Sequence, residues 1–382
     1  MSTYSSSNFD RFTLSRRGLL SLGGGIVGAA LLGTAGCGTG ANSSSSAPAS
    51  GPADVAKAKK DGQVVVYTGA GEDSVVGWAK HFTDKYGIQV KVVRKATYPL
   101  WQQWQTELKA GKHLADILMI SDKTLFDTAI GQKQLMNFSP TSSDDYDATY
   151  TKPGWYYPLQ LVSLGIVYNT KVNSPADIEF IKQQGFNALP DPRFKGVEPV
   201  VSPASGGTDY TWWYLLMQVQ AEKYGDDFVK KMAALSPKVY TSTLPVYSQV
   251  ESGQYRVAGA ASESSLGLDW SRGAPIRWTF PDPTPVNTLT QAVAATAPHP
   301  NAAVLFQEWA TTVEGEEAWY DGNWSLGAPM NSKAKDVRDF SKADWYQAPK
   351  NVYTQWATDP NYAKMQSSLI SHWTSLMGGG GN

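Results

Sequence analysis

The sequence predicts an α/β fold of two lobes, and three observations predict it. Residues 64–92 alternate strand, loop, helix and strand; polar, glycine- or serine-rich loops recur directly after short apolar runs; and stretches opening at Trp155 and Pro281 read as crossings between lobes. A chain of 382 residues is long enough for two domains of ordinary size.

The amino terminus stands apart from that fold. Ser15-Arg16-Arg17-Gly18-Leu19-Leu20 is a twin-arginine pattern leading into a Gly/Ala-rich apolar run, so residues 1–36 are expected to be a targeting signal. Thr34-Ala35-Gly36-Cys37 resembles the lipobox of bacterial lipoproteins, which makes Cys37 the expected lipidation site. Cys37 is the chain's only cysteine, which excludes disulfides and leaves no thiol for catalysis in the globular part. An uncleaved anchor or a plain secretory signal stays open, because Thr34 departs from the usual Leu or Val. Uncharged Gly, Ser, Ala and Pro then dominate a linker, and residues 37–62 are read as a tether. No later stretch is long and apolar enough to span a membrane. With 33 Lys+Arg against 34 Asp+Glu there is no basic footprint for nucleic acid.

The organising unit begins with Val64-Val65-Val66-Tyr67, a β-branched run suited to a strand covered on both faces. The loop Thr68 to Glu72 follows, with Asp73 or Ser74 as expected helix cap. Val75, Ala79, Phe82 and Tyr86 keep one helical face, Gly87 takes the left-handed cap, and Ile88, Val90 and Val92 alternate as the next strand. Gly69-Ala70-Gly71 begins like a dinucleotide fingerprint, but Ser74 replaces its third glycine and no ribose-binding acid follows, so no nucleotide cofactor is expected. In a parallel sheet the loops at strand carboxyl ends line the ligand crevice, which makes Gly71 and Glu72 candidates.

A helix over 99–111 and a strand over 116–120 follow, and Ser121 and Asp122 fall at the second such loop. Asp122 either faces the crevice or caps the helix that begins at Lys123; the residues leave both open. Trp155-Tyr156-Tyr157 opens the first crossing, where Tyr157 either walls a ligand or belongs to the core. After a strand at 197–201, Ser205, Gly206, Gly207 and Thr208 open a helix, whose free N–H groups and dipole favour an anion, although every solvated helix start has such groups. Helices over 224–235 and 246–253 and a strand over 256–261 lead to Ser262-Glu263-Ser264-Ser265, a third polar loop. Pro281, Pro283 and Pro285 mark the second crossing, and a strand and two helices end near Tyr320. The expected division is 63–162 and 284–382 for the first lobe and 163–283 for the second.

His81, His113, His299 and His372 are scattered without zinc-like spacing, and the motifs of serine hydrolases, metalloproteases and P-loop enzymes are absent. Glu72, Asp122 and Glu263 remain as carboxylates that a glycoside hydrolase could pair.

Several stretches together resemble the extracellular solute-binding proteins of bacterial ABC importers, in the branch with ferric-ion, phosphonate, thiamine and polyamine binders. They are VVVYTGAGED (64–73), ADILMISD (115–122), LGIVYNTKV (164–172), LPDPRFKG (189–196), VSPASGGTDY (201–210) and APHPNAAVLFQEWATTVEGEEAWYD (297–321). The resemblance implies a two-lobed, type II periplasmic-binding-protein-like fold that closes on its ligand. It implies no catalysis, a permease and an ATPase as partners, a lipid-held extracytoplasmic location and a monomer. The paired tyrosines of the ferric binders are missing, since Ser262 to Ser265 stands in their place. A small organic solute ranks above Fe(III), with its anionic group at Ser205, Gly207 and Thr208, further contacts at Gly71, Ser121 and Ser262, and a cationic end near Glu72, Asp122 or Glu263. Tyr157, Trp270 and Trp324 are candidates to stack on that cationic end. A ligand-gated signalling role for the same cleft is the remaining alternative.

Overall fold

The computed structural model describes residues 53–319, 327–336 and 338–378. The twin-arginine pattern, Cys37, Trp324 and the terminal glycines after Gly378 lie outside them.

Helix α1 (Val55–Asp61) leads into β1 (Gln63–Thr68), α2 (Glu72–Tyr86) and β2 (Gln89–Arg94). The predicted βαβ unit is therefore present, and Gly87 ends α2 at φ 73°, where a side chain would be strained. Its start differs from expectation: Gly71 is the N-cap, no side chain caps the helix, and Glu72 and Asp73 lie in the first turn. Then come α3 (Thr97–Lys109), β3 (Ile117–Ile120) and α4 (Lys123–Gly131). Strands β1, β2 and β3 are parallel.

Strand β4 (Tyr156–Asn169) belongs to both lobes. Its first half pairs antiparallel with β9 (Thr284–Val293), which also pairs with β3. Its second half pairs with β7 (Val257–Ser262) and β8 (Ile276–Thr279), with an irregularity between Gly165 and Val167. Between β4 and β7 lie α5 (Pro175–Gln184), β5 (Val200–Val201), α6 (Gly207–Tyr214), α7 (Gly225–Ala234), β6 (Val239–Tyr240) and α8 (Leu244–Glu251). Helix α9 (Glu263–Ser271) follows β7 directly. After β9 the chain forms α10 (Pro300–Thr311), α11 (Val313–Glu317), the short strands β10 (Ala328–Pro329) and β11 (Val352–Tyr353), α12 (Pro360–Lys364) and α13 (Gln366–Met377).

Alternation along β1 sends Val64 and Val66 to one cluster with Trp78, Phe82, Phe306, Trp309 and Trp319. Tyr67 goes to another, with Leu100, Trp104, Phe126 and Tyr156. Trp78 stacks on Trp319 at 4.2 Å between centroids and donates from Nε1 to the carbonyl of Gly315, fixing α2 against α11 and the turn after it.

The tail corrects the expected return of 284–382 to the first lobe. Tyr353, Trp356, Tyr362, Leu369, Trp373 and Met377 share a cluster with Tyr210, Trp213, Leu216 and Phe228 of the second lobe. The physical reason is aromatic cover: α6 and α7 present a large apolar face, and the tail's rings bury it. Tyr210 adds a hydrogen bond to the carbonyl of Tyr362 at 2.7 Å, and Tyr214 one to Asp359 at 2.6 Å.

Candidate functional site

A cleft of about 100 Å³, partly open to solvent, lies where the carboxyl ends of the first lobe's strands face helix starts of the second. The first lobe contributes Gly69, Ala70, Gly71 and Ser74 after β1, Arg94 at the end of β2 and Ser121 after β3. The second contributes Thr208 from α6, Thr243, Leu244 and Tyr247 from the start of α8, and Ser262, Ser264 and Ser265 at the start of α9. Gln160, Val162, Thr288 and Leu289 of the crossing strands and Trp319 complete the lining.

Four helices thus begin at this cleft: α2, α6, α8 and α9, whose N-caps are Gly71, Gly206, Thr243 and Ser262. None of these caps accepts a backbone N–H of its own helix through its side chain. N–H groups in the first turns of α2, α6 and α9 are left to solvent or ligand, as is that of Leu244 in α8, where Pro245 has no N–H and Val246 donates to the Thr243 carbonyl; each helix start carries a partial positive charge. Hydroxyls dominate the side chains, and two contacts arrange them: Ser262 Oγ lies 2.9 Å from Ser264 Oγ, and Ser121 Oγ 3.0 Å from Thr97 Oγ1. Tyr247 OH accepts from the Ser262 backbone N–H at 2.6 Å, which ties α8 to α9. Among the described residues the one ionised side chain in the lining is Arg94.

The lobes meet tightly beside the cleft. Tyr98 N–H donates to the Ser205 carbonyl at 3.3 Å, and Arg94 reaches Ser242 Oγ at 3.3 Å. A Cβ on Gly207 would lie 2.0 Å from the Ser121 carbonyl oxygen, so only glycine lets α6 approach the first lobe this closely.

Of the residues expected from sequence, Gly71, Ser121, Thr208 and Ser262 line the cleft. Gly207 and Ser205 sit at the lobe contact beside it, both buried. Glu72 is exposed at the first turn of α2 and outside the lining.

Three expectations need correction. Asp122 is fully buried and faces away: its carboxylate accepts from Thr124 N–H at 3.0 Å, Thr124 Oγ1 at 2.6 Å, Tyr98 OH at 2.9 Å and Gln366 Nε2 at 3.1 Å. It is the cap of α4, and burial raises its pKa against those donors. Glu263 is likewise buried, accepting from Tyr346 OH at 2.6 Å and pairing with Arg338 at 3.1 Å; burial raises its pKa while Arg338 opposes the rise. Tyr157 is a core residue, with its hydroxyl accepting from Gly154 N–H at 2.9 Å and lying 2.8 Å from Ser143 Oγ. Trp270 packs with Trp345 and beside Arg277, away from the cleft lining. With Asp122 and Glu263 turned inward, among the described residues no carboxylate lines the cleft to pair with another or to meet a ligand's cationic end.

Sequence reasoning missed Arg94, Gln160 and Thr243. Arg94 had a usable signal, since it ends a parallel strand by the same rule that selected Ser121. Thr243 had none, because nothing before α8 marks a strand.

Behind the cleft, Asp209 is buried with Thr243 Oγ1 3.4 Å from its carboxylate, and burial raises its pKa to about 7. Among the described residues no group of three His, Cys, Asp or Glu is placed to hold a metal, and no helix is long and apolar enough to cross a membrane.

Comparison with known proteins places this geometry. The family described as bacterial extracellular solute-binding protein matches residues 66–317. An uncharacterized protein of Haemophilus influenzae is 25% identical over 341 residues, covering 83% of this chain and 96% of its own. Among solved structures, the periplasmic binding protein AfuA of Actinobacillus pleuropneumoniae, with exogenous fructose-6-phosphate bound, superposes with TM-score 0.67 at 20% identity, covering 83% of this chain and 98% of AfuA. Iron-bound HitA of Pseudomonas aeruginosa gives TM-score 0.62 at 20% identity, covering 84% and 99%. A periplasmic thiamin binding protein gives 0.64 at 15% identity, covering 82% and 96%.

Proposed function

This chain belongs to the bacterial extracellular solute-binding proteins, the substrate-binding components of ABC importers that work outside the cytoplasm, and on that premise we propose that it captures a small organic anion bearing a phosphate or phosphonate group. The observation that carries the reading is the convergence of four uncapped helix starts on a cleft lined by hydroxyls, with Arg94 and, among the described residues, no carboxylate. Such a lining offers many donors and a positive field, which suits a compact oxyanion. Ser, Thr and Gln160 supply neutral donors and acceptors for the uncharged remainder of the solute. That AfuA was solved with a sugar phosphate supports the same class. The zwitterion expected from sequence loses its support, because Asp122 and Glu263 are buried elsewhere and Glu72 lies outside the lining.

In this reading the protein binds and releases without breaking a bond. Ligand contacts from Ser121 and Arg94 on one side, and from Thr208 and Ser262 on the other, favour the closed pair of lobes. The first lobe is formed mainly by 63–162 and the strand and helices from 284 to 319, the second by 163–283 with the tail. The closed protein presents its solute to a permease, held at the membrane by lipid on Cys37 after removal of residues 1–36, and works as a monomer.

A melting-temperature screen tests the reading, because a ligand that binds only the folded state stabilises it. Fructose 6-phosphate, 2-aminoethylphosphonate, thiamine and Fe(III) are compared at equal excess. A rise of several degrees with a phosphorylated or phosphonate compound is expected; a rise with Fe(III) or thiamine alone would overturn the anion assignment.

A further inference from the structure

Among the described residues Arg94 is the one cation in the cleft lining, and its bonding is incomplete. It extends from the end of β2 in the first lobe and donates a single hydrogen bond, from NH2 to Ser242 Oγ of the second lobe at 3.3 Å. Its Nε is buried without a hydrogen-bond partner, and no carboxylate stands within ion-pair distance of it among the described residues. The nearest influence of opposite sign is Glu72, exposed at the start of α2, which acts on it only through space. Burial correspondingly lowers the pKa of Arg94, with Glu72 opposing.

A half-buried guanidinium with an orphaned donor is an unfavourable arrangement in an empty protein. Desolvation without a counter-charge works against folding, and an unpaired buried donor adds to that. The uncapped helix starts do not relieve it, since their dipoles turn positive ends toward the same space. A single negative charge would leave this field undercompensated. A tetrahedral dianion supplies two charges and several oxygens, enough for helix N–H groups on some and a planar guanidinium fork on others.

We propose that Arg94 is the specificity-determining residue of the cleft: it selects a doubly charged phosphoryl or phosphonyl group over neutral and singly charged analogues, and by holding Ser242 at the same time it ties that charge to lobe closure. This rests on the function proposed above and sharpens it to one residue and one ionic form. In the occupied state the guanidinium bridges three partners, the first lobe that carries it, the ligand oxyanion and the second lobe's Ser242. The unfavourable empty state makes the contrast larger, because what the anion relieves on binding adds to the contacts it makes.

The test uses the chain without its signal peptide, with fructose 6-phosphate, inorganic phosphate and neutral fructose as probes in calorimetric titrations and melting curves. For Arg94→Gln, affinity for fructose 6-phosphate should fall roughly 10- to 100-fold, the range for loss of a charge-assisted hydrogen bond. Its ligand-free melting temperature should equal or exceed that of the unmodified protein, which a purely structural strut would not do. Arg94→Lys should recover part of the affinity by keeping the charge without the fork. Ser242→Ala should weaken binding by a smaller factor while keeping the preference for the phosphorylated probe over fructose. An Arg94→Gln protein that binds fructose 6-phosphate as well as the unmodified one overturns the role of Arg94 and leaves the anion reading intact. A lowered ligand-free melting temperature in that variant assigns Arg94 to the scaffold and overturns it too. If the unmodified protein binds neither phosphorylated probe, the anion reading fails and takes this inference with it.

Discussion

The ends of β3 and β7 carry the same two residue types in the same order, Ser121-Asp122 and Ser262-Glu263, one pair on each side of the cleft. In both, the serine lines the cleft and the acid turns inward to a tyrosine hydroxyl, Tyr98 for Asp122 and Tyr346 for Glu263. They differ in what else holds the acid. Asp122 has only neutral donors, among them Gln366 from the tail, whereas Glu263 has the guanidinium of Arg338. Two lobes have reached one division of labour by different chemistry: hydroxyls and backbone face the cleft, and the two acids are withdrawn into the frame.

The comparison breaks most visibly at Arg338. Its side chain is 13% exposed and that of Glu263 only 1%, so Arg338→Ala leaves a buried carboxylate with little more than a tyrosine. A loss of about 3 kcal/mol in urea denaturation is expected, and a loss below about 1 would mean that the pair is replaceable.

Asp209 extends the comparison to an acid with weaker partners. Burial moves its pKa from 3.8 to about 7, so across that interval the folded chain keeps a proton that the unfolded chain has released. Stability contributed by this group is highest below the interval and declines as pH rises through it. Asp209→Asn should flatten that part of the decline; an unchanged slope between pH 4 and pH 7 would show that Asp209 ionises as an ordinary carboxylate.

At the neutral pair the effect is smaller. Gln366→Ala removes one donor from Asp122 and one from Tyr98, and about 1 kcal/mol should be lost. A loss equal to that of Arg338→Ala would erase the distinction between charged and neutral support.

Smallest of all are the serines. Ser121→Ala and Ser262→Ala should alter stability by no more than about 0.5 kcal/mol, yet weaken fructose 6-phosphate binding by roughly 3- to 10-fold each. Binding left untouched in both would place the solute elsewhere in the cleft.

The same two pairs show what was legible in the sequence. That polar residues gather after β1, β3, β5 and β7 follows from the apolar runs before them, and Gly71, Ser121, Thr208 and Ser262 of those loops line the cleft. Which of two adjacent residues faces the cleft does not follow. It is decided by Tyr346, Arg338 and Gln366, which lie far along the chain from the groups they hold and carry no local signal. The βαβ unit was readable because its helical face and glycine cap are local, apart from a start that comes earlier than Asp73. The tail was misassigned for the opposite reason, since its aromatic residues have no period that names the partner they cover. Arg94 was overlooked because attention went to loops, and it ends a strand.

That tail has a consequence during synthesis. Trp356, Tyr362 and Trp373 complete the core around Tyr210 and Trp213, yet they leave the ribosome long after those residues. The first lobe waits too, for β9 and for Phe306, Trp309 and Trp319, but the second waits longer, for α12 and α13. A nascent chain that has not reached the tail therefore exposes the second lobe's apolar face, a surface suited to a chaperone or to aggregation.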